Sequence, residues 1–273
     1  MSESTLDQRV NLAFESPGVA TVTLCRPEKH NAFDDQMIAL LTRAFRRVEQ
    51  TPEARTLLLR SEGANFCAGA DLAWMRRMAD STYEENHQDA QALAQMLHTL
   101  RNLPIPTIVR VQGMAFGGAV GLVSCCDIAL ASVDAQFGLT EVRIGLIPAT
   151  IGPYVIETIG RRWASRFFVT GERFSAQRAL EIGLVHECFE GEALDIAVSD
   201  LLDKICKNGP RAVVHAKAIV REVAGLPINE TLMEHTSRRI AELRVSPEGQ
   251  EGLKAFLEKR RPSWPPLTEA GET

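Results

Sequence analysis

The sequence predicts an α/β protein with a core of alternating strands and helices, followed by a helical C-terminal region. Short β-branched runs alternate with segments of helical apolar spacing in the first part of the chain, which favours an α/β core. Beyond residue 150 nearly every segment has helical spacing. A chain of 273 residues can form one large α/β domain with a helical appendage. We therefore expect a core over residues 1–200 and a helical region over residues 201–273.

The N-terminal half begins with two strands that a Ser-Pro-Gly turn at 16–18 separates. Asp34 begins a helix, because apolar residues recur at helical spacing after it. Pro104 and Pro106 end a later helix and precede a strand. In this half the predicted strands are 10–14, 19–24, 56–60 and 107–111, and the predicted helices are 34–49, a short one from Asp71, and 83–100.

The second half opens with a glycine-rich segment and a helix that begins near Gly117. Pro247 is typical of the first turn of a helix and predicts the start of the last one. Several prolines in the tail, with Gly271, predict a frayed terminus. The predicted strands are 128–131, 136–138 and 184–188, and the predicted helices are 153–159, 162–170, 175–182, 193–207, 210–223, 229–244 and 247–258.

Composition excludes several classes of protein. The net charge of −5 and the pI near 5.8 lack the basic footprint of a nucleic-acid-binding protein. The six histidines and six cysteines have no metal-ligand spacing, so no metal site is expected. No apolar run reaches membrane-spanning length, and the N-terminus lacks a basic segment followed by an apolar one. We therefore expect a cytoplasmic protein without a nucleic-acid or membrane partner.

Three segments carry residues suited to chemistry, although each also has a purely structural interpretation. Gly117-Gly118 precedes a helix whose first N–H groups favour negative charge, but the glycines equally suit tight helix packing. Asp71 follows a run of small residues and can simply cap a helix. Glu141 lies in an apolar stretch that would raise its pKa and fit it for proton transfer, unless it is exposed or paired with Arg143.

Together these segments resemble the crotonase superfamily, the enoyl-CoA hydratase/isomerase family. The similarity extends from about Val10 to Trp264, and the order and spacing of its motifs make it specific. The resemblance implies a spiral of strand–strand–helix repeats, followed by a helical region that assembles a homotrimer or a dimer of trimers (a hexamer). The motifs are Arg26-Pro27 with Asn31-Ala32, Ala68-Gly69-Ala70-Asp71-Leu72, Gly113 to Asp127, Gln136-Phe137-Gly138 with Glu141, and Thr170-Gly171 with Ala176 and Gly183-Leu184-Val185.

The resemblance also implies a site for an acyl-CoA thioester. The N–H groups of Ala70 and Gly118 would form an oxyanion hole for the enolate oxygen, and Glu141 would transfer protons. CoA is part of the substrate, so no separate cofactor is expected. The candidate residues along the CoA path are Lys29 near the phosphates or pantetheine, Ala68, Asp71 and Leu72 along the pantetheine, and Phe256 and Lys259 near the adenine, from the same or a neighbouring subunit. The candidates near the acyl group are Trp74, Met75, Phe116 and Ile147, and Gly117 is a further candidate for binding the substrate or CoA.

Gly121 departs from the family pattern, because hydratases of this family typically carry the first of two catalytic glutamates there. Three functions therefore remain open. Glu141 alone could hydrate a 2-enoyl-CoA, or it could shift a double bond as in a Δ3,Δ2-enoyl-CoA isomerase. The chain could also be a catalytically weak homologue that only binds CoA esters.

Local sequence favours hydration of a carboxylated substrate. The segment Glu141-Val142-Arg143-Ile144-Gly145-Leu146 is similar to a bacterial branch that contains methylglutaconyl-CoA and carboxygeranoyl-CoA hydratases, whose substrates carry a second carboxylate. A substrate carboxylate fits the loss of an enzyme carboxylate, because like charges repel in a dry site. We therefore expect a lyase for a substrate such as 3-methylglutaconyl-CoA in leucine breakdown, with Arg143 as a candidate partner of the extra carboxylate.

Overall fold

The structure, a computed structural model, describes residues 4–15 and 18–264. The predicted turn at 16–18 lies partly outside these residues. The predicted frayed tail begins near Pro262 and lies outside them from residue 265 onward, while within the described part Trp264 donates its indole N–H to the Lys207 carbonyl at 2.9 Å. The strands are β1 (Ser4–Asp7), β2 (Val10–Glu15), β3 (Val19–Leu24), β4 (Thr56–Ser61), β5 (Thr107–Val111), β6 (Met114–Phe116), β7 (Ile128–Ser132), β8 (Gln136–Gly138), β9 (Arg173–Ser175) and β10 (Glu187–Phe189). The α-helices are α1 (Asp35–Glu49), α2 (Leu72–Asp80), α3 (Tyr83–Arg101), α4 (Gly118–Cys125), α5 (Gly152–Thr170), α6 (Ala176–Glu181), α7 (Ala193–Lys207), α8 (Pro210–Val223), α9 (Glu230–Val245) and α10 (Pro247–Leu257). Short 3₁₀ helices cover Pro27–Lys29 and Glu141–Ile144.

Seven strands form the main sheet in the order β1-β2-β3-β4-β5-β7-β10. Strands β1 to β3 pair antiparallel, whereas each neighbouring pair from β3 to β10 is parallel. A second sheet has the order β6-β8-β9, with β6 parallel to β8 and β8 antiparallel to β9. Parallel pairs need crossover connections, and the helices supply them. The predicted α/β class is confirmed, and the helical C-terminal region is present.

The short strands account for most differences from the sequence prediction. β1, β6 and β9 were not predicted, because three or four residues are too few to show an alternating pattern. The predicted strand at 184–188 was wrong in its first half. Leu184 and Val185 are apolar because they lie in a buried turn, where both N–H groups donate to the carbonyl of Ala179, at 2.8 and 3.3 Å. The strand itself begins at Glu187.

The helices begin and end close to the predicted residues. Asp34 caps α1, since its Oδ1 accepts the N–H of Met37 at 2.8 Å. The two helices predicted on either side of Gly160 form one run, α5, which Gly160 interrupts with a φ of 74° and a ψ of 156°. A left-handed φ of this kind suits glycine, because a Cβ would clash there.

Helix α7 crosses the boundary that was predicted between residues 200 and 201. Its apolar face packs on the main sheet, where Leu194 and Val198 form a buried cluster with Leu58, Ile108 and Leu130. The helix therefore packs with the core as one piece, and the predicted boundary falls inside it.

The three helices after α7 have few buried side chains. In α8 only Pro210 is buried, and in α9 no residue is buried. Large apolar side chains are instead exposed on and between α8 to α10, namely Val220, Leu226, Ile228, Met233, Ile240, Val245, Leu253, Phe256 and Leu257. Within residues 4–15 and 18–264, no helix is long and apolar enough to cross a membrane.

Candidate active site

Ala70 presents its backbone N–H to a cavity because of how its neighbours pair. Phe33 donates its N–H to the Gly69 carbonyl and accepts the N–H of Asp71, each at 2.7 Å. These two bonds lie on either side of Ala70, so its own N–H points away from Phe33. Ala70 lines the cavity, and its N–H makes no backbone hydrogen bond within the described ranges.

A second short bridge places this segment beside β6. Cys67 donates to the Met114 carbonyl at 2.9 Å and accepts the N–H of Phe116 at 3.1 Å. The chain then leaves β6 at Gly117, which has a φ of 54° and a ψ of −121°, and enters α4 at Gly118. A positive φ at this point favours glycine, because residues with a Cβ rarely adopt it. The bridge thus places Ala70 and Gly118 on the same cavity.

Gly118 is the second of the two predicted backbone N–H donors. As the first residue of α4, it has no partner four residues earlier within the helix, and the helix dipole favours negative charge there. A Cβ at this position would lie 3.1 Å from the Phe33 ring, so the glycine also permits close packing. Both interpretations of the glycine pair, a helix N-terminus open to an anion and tight packing, therefore hold at once.

Asp71 fixes the segment after Ala70. Its Oδ1 accepts the N–H groups of Ala73 and Trp74, at 2.8 and 3.1 Å, so it is the N-cap of α2. Its Oδ2 lies 3.4 Å from the Arg26 guanidinium, which also pairs with Asp34 at 2.8 Å. Burial opposes ionisation of Asp71, but these hydrogen bonds and the Arg26 charge hold its pKa below the usual value. The carboxylate is therefore ionised and anchors the turn.

Glu141 lies across the cavity, at the start of the 3₁₀ helix. Its Oε1 is 3.3 Å from where a Cβ on Gly117 would be, so the carboxyl lies directly beside the glycine pair. Its Oε2 is buried and has no hydrogen-bond partner among the described residues. Burial raises the pKa of the Glu141 carboxyl above its usual value, because the charged form loses hydration.

The cavity has a volume of about 460 Å³ and a largely apolar wall. Glu141 is its only acidic residue in the part of the chain that the structure describes, while Arg143 and Arg173 also contribute to the wall. The predicted acyl-group residues all line it, namely Trp74, Met75, Phe116 and Ile147, and so does Gly117, which was predicted to bind the substrate or CoA. Ala68 and Leu72, which were predicted along the pantetheine, line it as well.

Gly121 lies one helical turn beyond Gly118 and faces an isoleucine. A Cβ on Gly121 would lie 2.4 Å from Cγ2 of Ile151 and 2.9 Å from its Cβ, well inside normal contact distance. Ile151 is 1 % exposed and lines the cavity. The isoleucine therefore occupies the space that a side chain at position 121 would need.

Four predicted substrate-binding residues are not among those that line the cavity in the described chain. Lys29 is exposed at the end of its 3₁₀ helix, and Phe256 is 82 % exposed on α10 with Lys259 just beyond. The carboxylate of Asp71 points to Arg26 and the α2 backbone, and its contact with the pantetheine stays a prediction. The alternative interpretation of Asp71, a helix cap, is confirmed.

No pattern in the sequence indicated two of the cavity residues, Ile151 and Arg173. Neither belongs to a motif, and both reach the cavity only through tertiary packing. The arrangement as a whole brings together two backbone donors and one buried carboxyl around an apolar space. Such a set can stabilise a developing oxyanion and move a proton beside it. Among residues 4–15 and 18–264, no group of three or more His, Cys, Asp or Glu side chains could hold a metal ion.

Comparison with known proteins identifies the family. The model of the family described as enoyl-CoA hydratase/isomerase matches residues 15–266. The crystal structure of an enoyl-CoA hydratase from Shewanella pealeana is similar with a TM-score of 0.90 and 44 % identity, over 95 % of this chain and 98 % of that one. An enoyl-CoA hydratase from Mycobacterium smegmatis is similar with a TM-score of 0.88 and 33 % identity, over 94 % and 99 % of the two chains. Enoyl-CoA hydratase EchA19 from Mycobacterium tuberculosis is 31 % identical, over 89 % of this chain and 91 % of that protein. The chain is therefore an enzyme of the enoyl-CoA hydratase/isomerase family, within the crotonase superfamily.

Proposed function

We propose that this enzyme hydrates a branched 2-enoyl-CoA whose acyl group carries a second carboxylate, such as 3-methylglutaconyl-CoA. The observation that carries the proposal is the contact of Gly121 with Ile151, which leaves Glu141 as the only acidic residue of the cavity wall that the structure describes. A second fixed carboxylate would repel a carboxylate on the substrate, whereas an apolar wall does not.

The chemistry proposed for the site divides between backbone and side chain. The N–H groups of Ala70 and Gly118 hold the thioester oxygen as negative charge develops on it, which is typically worth about 100- to 1000-fold in rate for one such donor. Glu141, ionised, accepts a proton from water as its oxygen adds to the β-carbon. The same carboxyl then returns a proton to the α-carbon on the same face, so water adds across the double bond and the enzyme is regenerated. The raised pKa of Glu141 supports both roles, because a carboxylate whose pKa lies nearer to the operating pH is a stronger base than in water, and its protonated form can still return the proton.

Initial rates with a panel of CoA esters test this proposal. We expect kcat/KM for 3-methylglutaconyl-CoA to exceed that for crotonyl-CoA by at least about tenfold, a difference of about 1.4 kcal/mol in transition-state binding. Equal or faster hydration of crotonyl-CoA would remove the argument for a carboxylated substrate.

A second candidate function is double-bond isomerisation. One carboxyl suffices to move a proton between the α- and γ-carbons of a 3-enoyl-CoA, and the single Glu141 of the cavity wall favours this option. Incubation with 3-hexenoyl-CoA separates the two functions, because isomerisation gives the conjugated 2-enoyl product without the addition of water. A homologue that binds CoA esters without turnover would show neither reaction.

We also propose assembly as a homotrimer or a dimer of trimers through the C-terminal helices. The exposed apolar side chains of α8 to α10 support an interface there, since apolar patches of this kind typically mark contact surfaces. Phe256 and Lys259 would then approach the adenine end of CoA from their own or a neighbouring subunit. Light scattering on the purified protein tests the assembly. The cytoplasmic location and the role in leucine breakdown stay predictions.

A further inference from the structure

Two arginines lie on the cavity wall on the side of Glu141. Arg143 belongs to the 3₁₀ helix that Glu141 begins, and Arg173 is the first residue of β9. Both line the same cavity as the two backbone donors, and both are exposed to solvent. They therefore place positive charge at the mouth of an otherwise apolar space.

Packing holds each arginine stem in place. The Arg173 guanidinium lies 4.7 Å from the centre of the Phe116 ring, a cation–π contact that leaves the N–H groups at its edge available. Its strand partner is Gly138, and a Cβ there would lie 3.5 Å from Cγ of Arg173. The Arg173 stem therefore lies directly over the Gly138 backbone.

Arg143 is positioned in a similar way. A Cβ on Gly171 would lie 3.2 Å from Cγ of Arg143 and 3.4 Å from its Nε, so the stem of Arg143 rests against glycine backbone. The two arginines thus lie over two neighbouring stretches of backbone, Gly138 in β8 and Gly171 just before β9.

In the described part of the chain, neither arginine has an acidic partner. No carboxylate of the described residues lies within ion-pair distance of Arg143 or Arg173, and neither side chain makes a hydrogen bond to those residues. Nearby arginines behave differently, since Arg166 pairs with Glu172 at 2.5 Å and Arg178 with Glu181 at 2.6 Å. Two guanidinium groups on one cavity wall, without a carboxylate partner among the described residues, are suited to binding an anion.

We propose that Arg173 and Arg143 bind the distal carboxylate of the acyl group and so select a dicarboxylic thioester. The Arg173 guanidinium lies over the ring of Phe116, the residue directly before Gly117-Gly118, and all of them line the same cavity as Glu141. The assignment to a substrate carboxylate rests on the proposed function. The phosphates of CoA offer the same chemistry, and the experiment separates these two sources of negative charge.

The test compares binding of two saturated esters that cannot be hydrated. Glutaryl-CoA ends in a carboxylate, whereas pentanoyl-CoA has the same chain length without it. Calorimetry gives both dissociation constants for the wild type, Arg173→Met, Arg143→Met and Arg162→Ala. Methionine keeps an unbranched stem on Phe116 but removes the charge. Arg162 is exposed and outside the cavity, so its variant controls for the loss of one positive charge.

We expect the dissociation constant of the wild type to be at least about tenfold lower for glutaryl-CoA than for pentanoyl-CoA, because one hydrogen-bonded contact between charged groups contributes about that much. Arg173→Met should remove most of this preference and Arg143→Met part of it, while Arg162→Ala retains it. Equal weakening of both esters would assign the arginines to the CoA phosphates and overturn the proposal, as would a wild type without preference. If the preference is present but 3-methylglutaconyl-CoA is not hydrated, the proposed reaction fails while the carboxylate subsite stands.

Discussion

The contact between Gly121 and Ile151 makes the stability of the fold depend on glycine at this position. Gly121 lies inside α4, where alanine would normally be preferred by about 1 kcal/mol. The Cβ of an alanine, however, would lie 2.4 Å from Cγ2 of Ile151, whereas carbon atoms normally approach to about 3.5–4.0 Å. Gly121→Ala therefore tests whether the isoleucine is pressed against the helix.

The expected magnitude is the difference between these two effects. Overpacking a filled core costs about 1–3 kcal/mol, and an overlap of more than 1 Å places this site at the upper end of that range. Subtraction of the helix-propensity gain of about 1 kcal/mol leaves a net destabilisation of about 2 kcal/mol. For a large domain this lowers Tm by roughly 4–8 °C.

A double-mutant cycle with Ile151→Ala supplies the control. Thermal or urea unfolding is measured for the wild type, Gly121→Ala, Ile151→Ala and the pair. Ile151→Ala alone leaves a cavity and costs about 2–5 kcal/mol, but the alanine at 121 should then be neutral or stabilising. We expect a favourable coupling of about 2 kcal/mol. A Gly121→Ala variant as stable as the wild type, without coupling, would show that the isoleucine does not fill this space.

Three further predictions concern single carboxyl groups. Burial raises the folded-state pKa of Glu141, so between pH 4.5 and this raised pKa the folded state binds more protons than the unfolded state, and the free energy of unfolding falls as pH rises through this range. Glu141→Gln should therefore be more stable than the wild type at pH 8 but not at pH 4, as Tm measured at the two pH values will show. Asp71→Ala removes both the α2 cap and the Arg26 contact and should cost about 1–3 kcal/mol in urea unfolding, whereas Asp71→Asn, which keeps an oxygen for the cap but loses the charge, should cost less; equal losses would contradict a role of the cap. Glu248 is 3 % exposed and accepts the N–H groups of Arg211 and Ala212 at the start of α8, so Glu248→Ala should cost about 2 kcal/mol, and an unchanged unfolding midpoint would count against that role.

The long elements were predictable because local signals and tertiary packing agree. Helices α7 and α8 have the predicted bounds, since helical apolar spacing and a first-turn proline at residue 210 define them. The three-residue strands β6 and β9 were not predictable, because their partners lie far along the chain. β9 exists only through its pairing with β8, which is more than thirty residues earlier.

The site was predictable only where a motif carries it. The backbone donors at Ala70 and Gly118 and the carboxyl of Glu141 belong to motifs, and the structure places all three on one cavity. The role of Ile151 was not predictable, because an isoleucine before a helix can pack in many ways. Only its short distance to Gly121 shows that it fills the space beside that residue. Arg173 was missed for the same reason, since the contact with Phe116 forms across two strands.

The claim that the carboxyl of Glu141 alone transfers the proton is tested most directly by measuring turnover and ligand binding in the Glu141→Gln variant. Glutamine keeps the shape of the side chain but cannot accept a proton from water. We predict that hydration of 3-methylglutaconyl-CoA falls by at least about 100-fold, as for the loss of a general acid–base group, while the dissociation constant of glutaryl-CoA changes by less than about threefold. Hydration within about tenfold of the wild-type rate would show that another group moves the proton.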